Sequence, residues 1–200
     1  MKKSVIFIAG LIMSILITNG ISVIRDGRRL EQLRGSVLRL HILAESDSEH
    51  DQNLKLKVRD ALLESDIFED ADSLESAERI AGEKLSEIED IAESVLYENG
   101  CSLPVTAELA EVEFDERVYG DITMPAGKYS ALRVKIGSAQ GKNWWCVMYP
   151  PLCIPAACEV EENKSAEECF SEEEIDIIYN PEKYRVRFAI WDKIKEIINK

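Results

Sequence analysis

At Pro104 the apolar residues of this chain change period. Upstream, Ala77, Ile80, Ala81, Leu85, Ile88, Ile91, Ala92, Val95 and Leu96 recur at helical spacing, with Glu, Lys and Asp opposite. Asp72 or Ser73 caps that helix, and Asn99-Gly100 stops it, because Gly accepts the left-handed backbone that follows a helix. Downstream the pattern is alternating. Val105, Ala107 and Leu109 share one strand face, and a slip of phase before Val112 and Phe114 predicts a bulge. Residues 118–124, a turn at Pro125-Ala126-Gly127 and residues 130–136 read as a hairpin. Residues 144–149 read as a further strand, stopped by Pro150-Pro151. A helical stretch and an alternating stretch each have one apolar face to hide, and they hide it against each other.

The flanking segments fit the same plan. Val37 to Leu43 alternate as a half-buried strand. Ser46 with Glu49 forms a capping-box pattern ahead of a helix lined by Leu54, Val58, Ala61 and Leu62. Near the C-terminus, Tyr184, Val186, Phe188 and Ile190 alternate with Arg185 and Arg187 as a strand, and Ile194, Ile197 and Ile198 suit a short final helix. The predicted fold class is α+β. It is a single domain with two long helices packed on a mostly antiparallel sheet, a C-terminal helix, and an acidic surface insertion at residues 158–174.

The N-terminus is a separate object. Lys2-Lys3 precede an uncharged apolar run from Ser4 to Ile17; Thr18-Asn19-Gly20 interrupts it, and Ile21 to Ile24 extend it. A short basic stretch before an apolar core is the pattern of a secretory signal. Counted through Ile24, the run also reaches the roughly 20 residues that span a bilayer. Residues 1–24 are therefore a signal peptide or a signal anchor, residues 25–35 an Arg-rich linker, and residues 36–200 the body. For a fixed span, the arginines after the run would place the body in the cytoplasm. The five cysteines and acidic surface suit an extracytoplasmic body instead.

Charge narrows function. The formal net charge is −14, from 24 Lys+Arg against 38 Asp+Glu, which argues against a nucleic-acid binder, since phosphate contact needs clustered cations. The cysteine spacing lacks the paired short knuckles of a zinc site. Asp47-x-Glu49-x-Asp51 starts like a calcium loop, but Gln52 and Val58 stand where Gly and a bidentate Glu are required. No metal and no cofactor is expected. Cys146 and Cys153 flank Pro150-Pro151 closely enough to be bridged if the chain reverses there, and a buried free thiol is the other reading of each. A Cys146 nucleophile with His41 or His50 as base would make an exported hydrolase, for which no local signature exists.

The most unusual stretch is Gly141 to Cys153. Adjacent Trp144 and Trp145 on a strand point to opposite faces, so either one is exposed as a contact anchor or both are covered. Trp144, Trp145, Pro150 and Pro151 form the candidate contact or scaffold strip, with Arg39, His41 and Asp47 as further candidates.

Arg39 to Gln52 followed by Leu54 to Ala61, then Pro125 to Arg133, then Gly141 to Cys153 resemble, in order, the three signatures of the stage II sporulation protein R family. Glu45 stands where members often carry Asn. The resemblance implies an endospore-forming bacterium and a protein made in the forespore and exported into the space between the two membranes. There such a protein activates a membrane-embedded protease of the mother cell, stage II sporulation protein GA, which processes pro-sigma-E. It also implies an activator without catalytic residues of its own.

Overall fold

The computed structural model describes residues 2–119, 121–150 and 170–198, with side chains from Ile6 onward. Its elements run α1 (Lys2–Arg34), β1 (Leu38–Leu43), α2 (Glu49–Glu64), α3 (Leu74–Glu83), α4 (Leu85–Glu98) and β2 (Val105–Phe114). They continue through β3 (Arg117–Tyr119), β4 (Ile122–Met124), β5 (Gly127–Ile136) and β6 (Asn143–Tyr149) to α5 (Glu172–Tyr179) and α6 (Arg185–Ile198). The fold is α+β, around a sheet of order β2-β5-β1-β6. β1 is parallel to β5, while β1–β6 and β2–β5 are antiparallel.

Alternation along the strands splits the interior into two cores. Leu38, Leu40, Ile42, Leu132, Val134, Cys146 and Met148 face α2, α3 and α4, which supply Leu54, Val58, Ala77, Ile88 and Leu96. On the other side, Tyr129, Ala131 and Val147 meet Leu30 and Leu33 of α1, Ile177 and Ile178 of α5, and Phe188 of α6. The sheet is thus a middle layer. β1 is buried along its whole length rather than half-buried, because its second face carries Arg39 and His41 beneath this other layer.

Several expectations are corrected. β2 pairs with β5 in unbroken register from Val105–Ile136 to Phe114–Gly127, so there is no bulge. The slip of phase arises because Val105 belongs to the α2–α4 core, whereas Phe114 belongs to the opposite core. Residues 118–124 do not pair with 130–136. They fold on themselves as the β3–β4 hairpin, and β5 is left to pair with β1 and β2. The helix around residues 77–96 is broken at Lys84, whose φ of −108° and ψ of 17° end α3 and begin α4.

Capping differs in detail. Ser48, not Ser46, caps α2, its hydroxyl accepting the Asp51 amide at 3.1 Å. Ser73 caps α3, and Gly100 with φ 75° follows α4. Residues 185–190 are helical, because Tyr184, Phe188 and Trp191 lie one turn apart on the face that packs inward, a spacing their alternation with Arg disguised. Of the acidic segment, residues 172–174 are the first turn of α5, capped by Ser171, and Phe170 before them is buried. The remainder, residues 158–169, lies outside the described residues.

The expected linker is the inner end of a continuous helix. From Ile6 to Ile21 the apolar side chains of α1 are exposed, whereas Val23, Asp26, Leu30 and Leu33 are buried in the body. The Asp26 carboxylate is 2.6 Å from Arg187, 3.1 Å from Arg25 and 3.8 Å from Arg29. Arg34 pairs with Asp192 at 2.8 Å, and Glu31 with Lys195 at 2.5 Å. Gly27 leaves room for the Trp191 indole, into which any Cβ there would run. α1 is long and apolar enough to cross a membrane, as a signal peptide or membrane anchor would be.

Candidate functional site

Strand register sets one row of side chains across the sheet. Glu108 of β2 faces Arg133 of β5, Arg133 faces His41 of β1, and His41 faces Trp145 of β6. Paired residues point to the same side, so these four lie shoulder to shoulder on the face opposite α2–α4. The next row is Ala110, Ala131, Arg39 and Val147. The small alanines beside Arg39 leave space for its guanidinium to lie among aromatic rings.

Arg39 is fully buried. Its guanidinium carbon is 4.0 Å from the centroid of Phe114, 4.9 Å from Tyr129 and 5.8 Å from Tyr119. Nη2 donates to the Tyr119 hydroxyl at 2.5 Å, and that hydroxyl donates to the Trp145 carbonyl at 3.3 Å. Nε and Nη1 are buried with no acceptor among the described residues. Burial disfavours the charged form, against the pull of the two tyrosines, and holds Arg39 below the ordinary guanidinium range. The same burial pushes the Tyr129 phenol up to about 12.

His41 is 3% exposed, and its ring lies on the indole of Trp145. Neither ring nitrogen makes a hydrogen bond of normal geometry among the described residues. Burial first, then the nearby charge of Arg133, lower its pKa to about 4, with Asn143 pulling the other way and the charge of Lys135 adding a smaller lowering. His41 is neutral at pH 7. Trp145 is half-buried, edge-on to Phe114 at 4.6 Å and beneath Arg117 at 5.9 Å. Glu108 is shared by Lys135 at 2.6 Å and Arg133 at 3.5 Å. In a chain of net charge −14, this face gathers Arg39, Arg117, Arg133 and Lys135 around aromatic rings.

The candidate strip is therefore divided by the sheet. Trp145 lies with Arg39 and His41, whereas Trp144 is on the α2–α4 side with Arg59 over its ring at 4.4 Å. Pro150 is buried, and Pro151 lies outside the described residues. Asp47 holds a loop rather than joining the face, since its carboxylate accepts the Lys142 amide at 2.7 Å. Phe114, Tyr119, Tyr129 and Arg133 complete the Arg39 and His41 environment. Tyr129 and Arg133 lay within a quoted signature, but only strand register brings them beside β1.

The hydrolase geometry is absent. Cys146 is disulfide-bonded and points into the α2–α4 core, on the opposite side of the sheet from His41. Cys153 lies outside the described residues. His50 lines a shallow depression with Lys57, Asp60 and Asn99 on the outer side of α2. Among the described residues no cluster of His, Cys, Asp and Glu could hold a metal ion.

The comparisons with known proteins agree on one family. The model for stage II sporulation protein R matches residues 34–159, a span that includes β1, β5 and β6. Over 119 residues the chain is 39% identical to Stage II sporulation protein R of Bacillus subtilis (strain 168), across 58% of this chain and 53% of that protein. The chain thus spans about half the length of this curated relative. No solved structure matches. With a family model covering more than half of its length, the chain belongs to the stage II sporulation protein R family, a family of sporulation proteins.

Proposed function

We propose that this chain is an exported signalling protein of endospore formation. In this reading α1 directs it across the forespore membrane, and the body activates the membrane-embedded protease that processes pro-sigma-E, stage II sporulation protein GA. The body performs no chemistry of its own. It acts by binding the protease's extracytoplasmic part more tightly in the active arrangement than in the inactive one, which is the only way binding shifts such an equilibrium.

The observation that carries the reading is the convergence of the family-matched strands on one face. β1, β5 and β6 bring Arg39, His41, Arg133 and Trp145 together, with the half-buried Trp145 indole at its edge. Trp and Arg are the residue types that dominate protein contacts. The test is a reporter of sigma-E processing in a strain producing Trp145→Ala. Processing should collapse while the variant is still folded and exported. Normal processing by folded Trp145→Ala protein overturns the assignment of this face.

A further inference from the structure

Arg39 differs from the other inward-facing arginines. Arg34 meets Asp192, Arg59 meets Asp60, Arg133 meets Glu108 and Arg187 meets Asp26. Arg39, the most buried of them, has no carboxylate within ion-pair distance among the described residues, and its one acceptor is a neutral phenol. Nε and Nη1 of Arg39, both ring nitrogens of His41 and Nε of Arg133 are all buried with no hydrogen-bond partner among the described residues. Buried donors without acceptors are rare in folded proteins, because desolvation is then uncompensated. Here they cluster on neighbouring positions of one sheet face.

We propose that Arg39 and His41 form a socket for a carboxylate presented on an acidic segment of a partner protein, closed in the free chain by Tyr119 and Trp145. The inference rests on the reading of this face as the contact surface, and names the chemistry it receives. The Tyr119 oxygen sits on Nη2, the nitrogen that belongs to both two-donor forks of a guanidinium, and the unfilled Nε and Nη1 flank it. A carboxylate taking the place of that oxygen gains a second, parallel hydrogen bond, the geometry for which Arg is suited. Tyr119 is carried on the β3–β4 hairpin, which is not part of the main sheet, and the neighbouring Val118 is 68% exposed. Displacement of Tyr119 with its strand β3 opens the socket without breaking β1, β5 or β6, while β4 stays anchored by the buried Ile122 and Met124. Charge selects the occupant: Arg117, Arg133 and Lys135 surround the opening, with Glu108 already shared by two cations.

The test uses the full chain in neutral detergent micelles and follows the Arg39 Nε–H and His41 ring resonances. The probes are N-acetyl-glutamate N-methylamide, its glutamine counterpart and inorganic phosphate. The glutamate probe should shift both resonances saturably, and the glutamine probe should not. Tyr119→Phe, which keeps the ring and releases Nη2, should bind it several-fold more tightly, and Arg39→Gln at least tenfold more weakly. If Arg39→Gln does not fold, the Tyr119→Phe comparison decides alone. Absence of saturable binding to wild type and Tyr119→Phe overturns the socket, as does equal binding of the glutamine probe or phosphate. Because no protease is present, loss of this binding with Trp145-dependent processing intact sinks the socket alone. Normal processing by Trp145→Ala with binding intact sinks the contact-face reading alone.

Discussion

The imidazole of His41 and the indole of Trp145 lie parallel, with 3.8 Å between centroids and 9° between planes. The stack closes the edge of the sheet over a buried ring whose charged form is disfavoured, and this makes stability depend on pH. His41 titrates near 6.5 when unfolded and near 4 when folded. Between those values the unfolded chain binds more protons, so stability rises with pH across the window and is complete above about 6.5. The contribution lost on going from pH 7 to pH 4 is of the order of 3 kcal/mol. Urea unfolding at pH 7 and pH 5 should show wild type losing about 2 kcal/mol more than His41→Gln does. An equal loss in both proteins would contradict a buried neutral His41.

The two tryptophans should fail in different ways. Trp144 packs on the α2–α4 side beneath Arg59, so Trp144→Ala removes interior contact and the cation–π pair. A cost of about 2–4 kcal/mol is expected in denaturant unfolding. A double-mutant cycle with Arg59→Ala should give a coupling of roughly 0.5–1 kcal/mol for the pair. Trp144→Ala protein that remains folded should still support sigma-E processing, in contrast to Trp145→Ala.

How much of this was legible in the sequence follows from what each pattern encodes. Helical spacing in residues 77–96 and alternation in 37–43 and 130–136 identified the elements, because a face that packs on one neighbour repeats with its own period. Alternation failed wherever a segment served two neighbours. β2 serves one core with Val105 and the other with Phe114, and this looked like a slip of register. In residues 184–190 the arginines at alternate positions hid a helix whose inward residues are Tyr184 and Phe188. The candidate site was half legible. Arg39, His41 and Trp145 were named, but Arg133, Phe114, Tyr119 and Tyr129 come from other segments. Only the parallel β1–β5 pairing, which no local pattern encodes, sets Arg133 beside His41.

Asp26 should prove a structural keystone. Its carboxylate is fully buried on α1 and faces Arg25, Arg29 and Arg187, the last of which reaches over from α6. Asp26→Ala leaves those cations crowded, with Glu173 beside Arg29 as the counter-charge that remains. Because the arginines are partly solvated, the expected loss is about 1–3 kcal/mol, below that of a fully buried pair. Gly27→Leu, which drives a side chain into the Trp191 ring, should weaken the same α1–α6 contact. Proteolysis within α6 should become faster in both variants. Unchanged protection would mean that α6 is held in place without this α1 contact.

The junction between the apolar helix and the body limits where an exported form can be cut. Val23, Leu30 and Leu33 of α1 are buried, and Leu30 and Leu33 completely so, in the core those two share with Tyr129, Ile177 and Phe188. Each buried leucine contributes roughly 1.5–3 kcal/mol, so removing the inner end of α1 takes away about 5 kcal/mol of burial together with the Asp26, Glu31 and Arg34 ion pairs. That is a large share of the stability of a domain this size. A chain starting at Ser22 should therefore unfold cooperatively, and one starting at Gly35 should expose its second core and aggregate. If export includes cleavage, the intact mass of the exported form should correspond to a first residue no later than Val23. A mass that begins at residue 35 or 36, on a folded and active protein, would show that the inner end of α1 is dispensable.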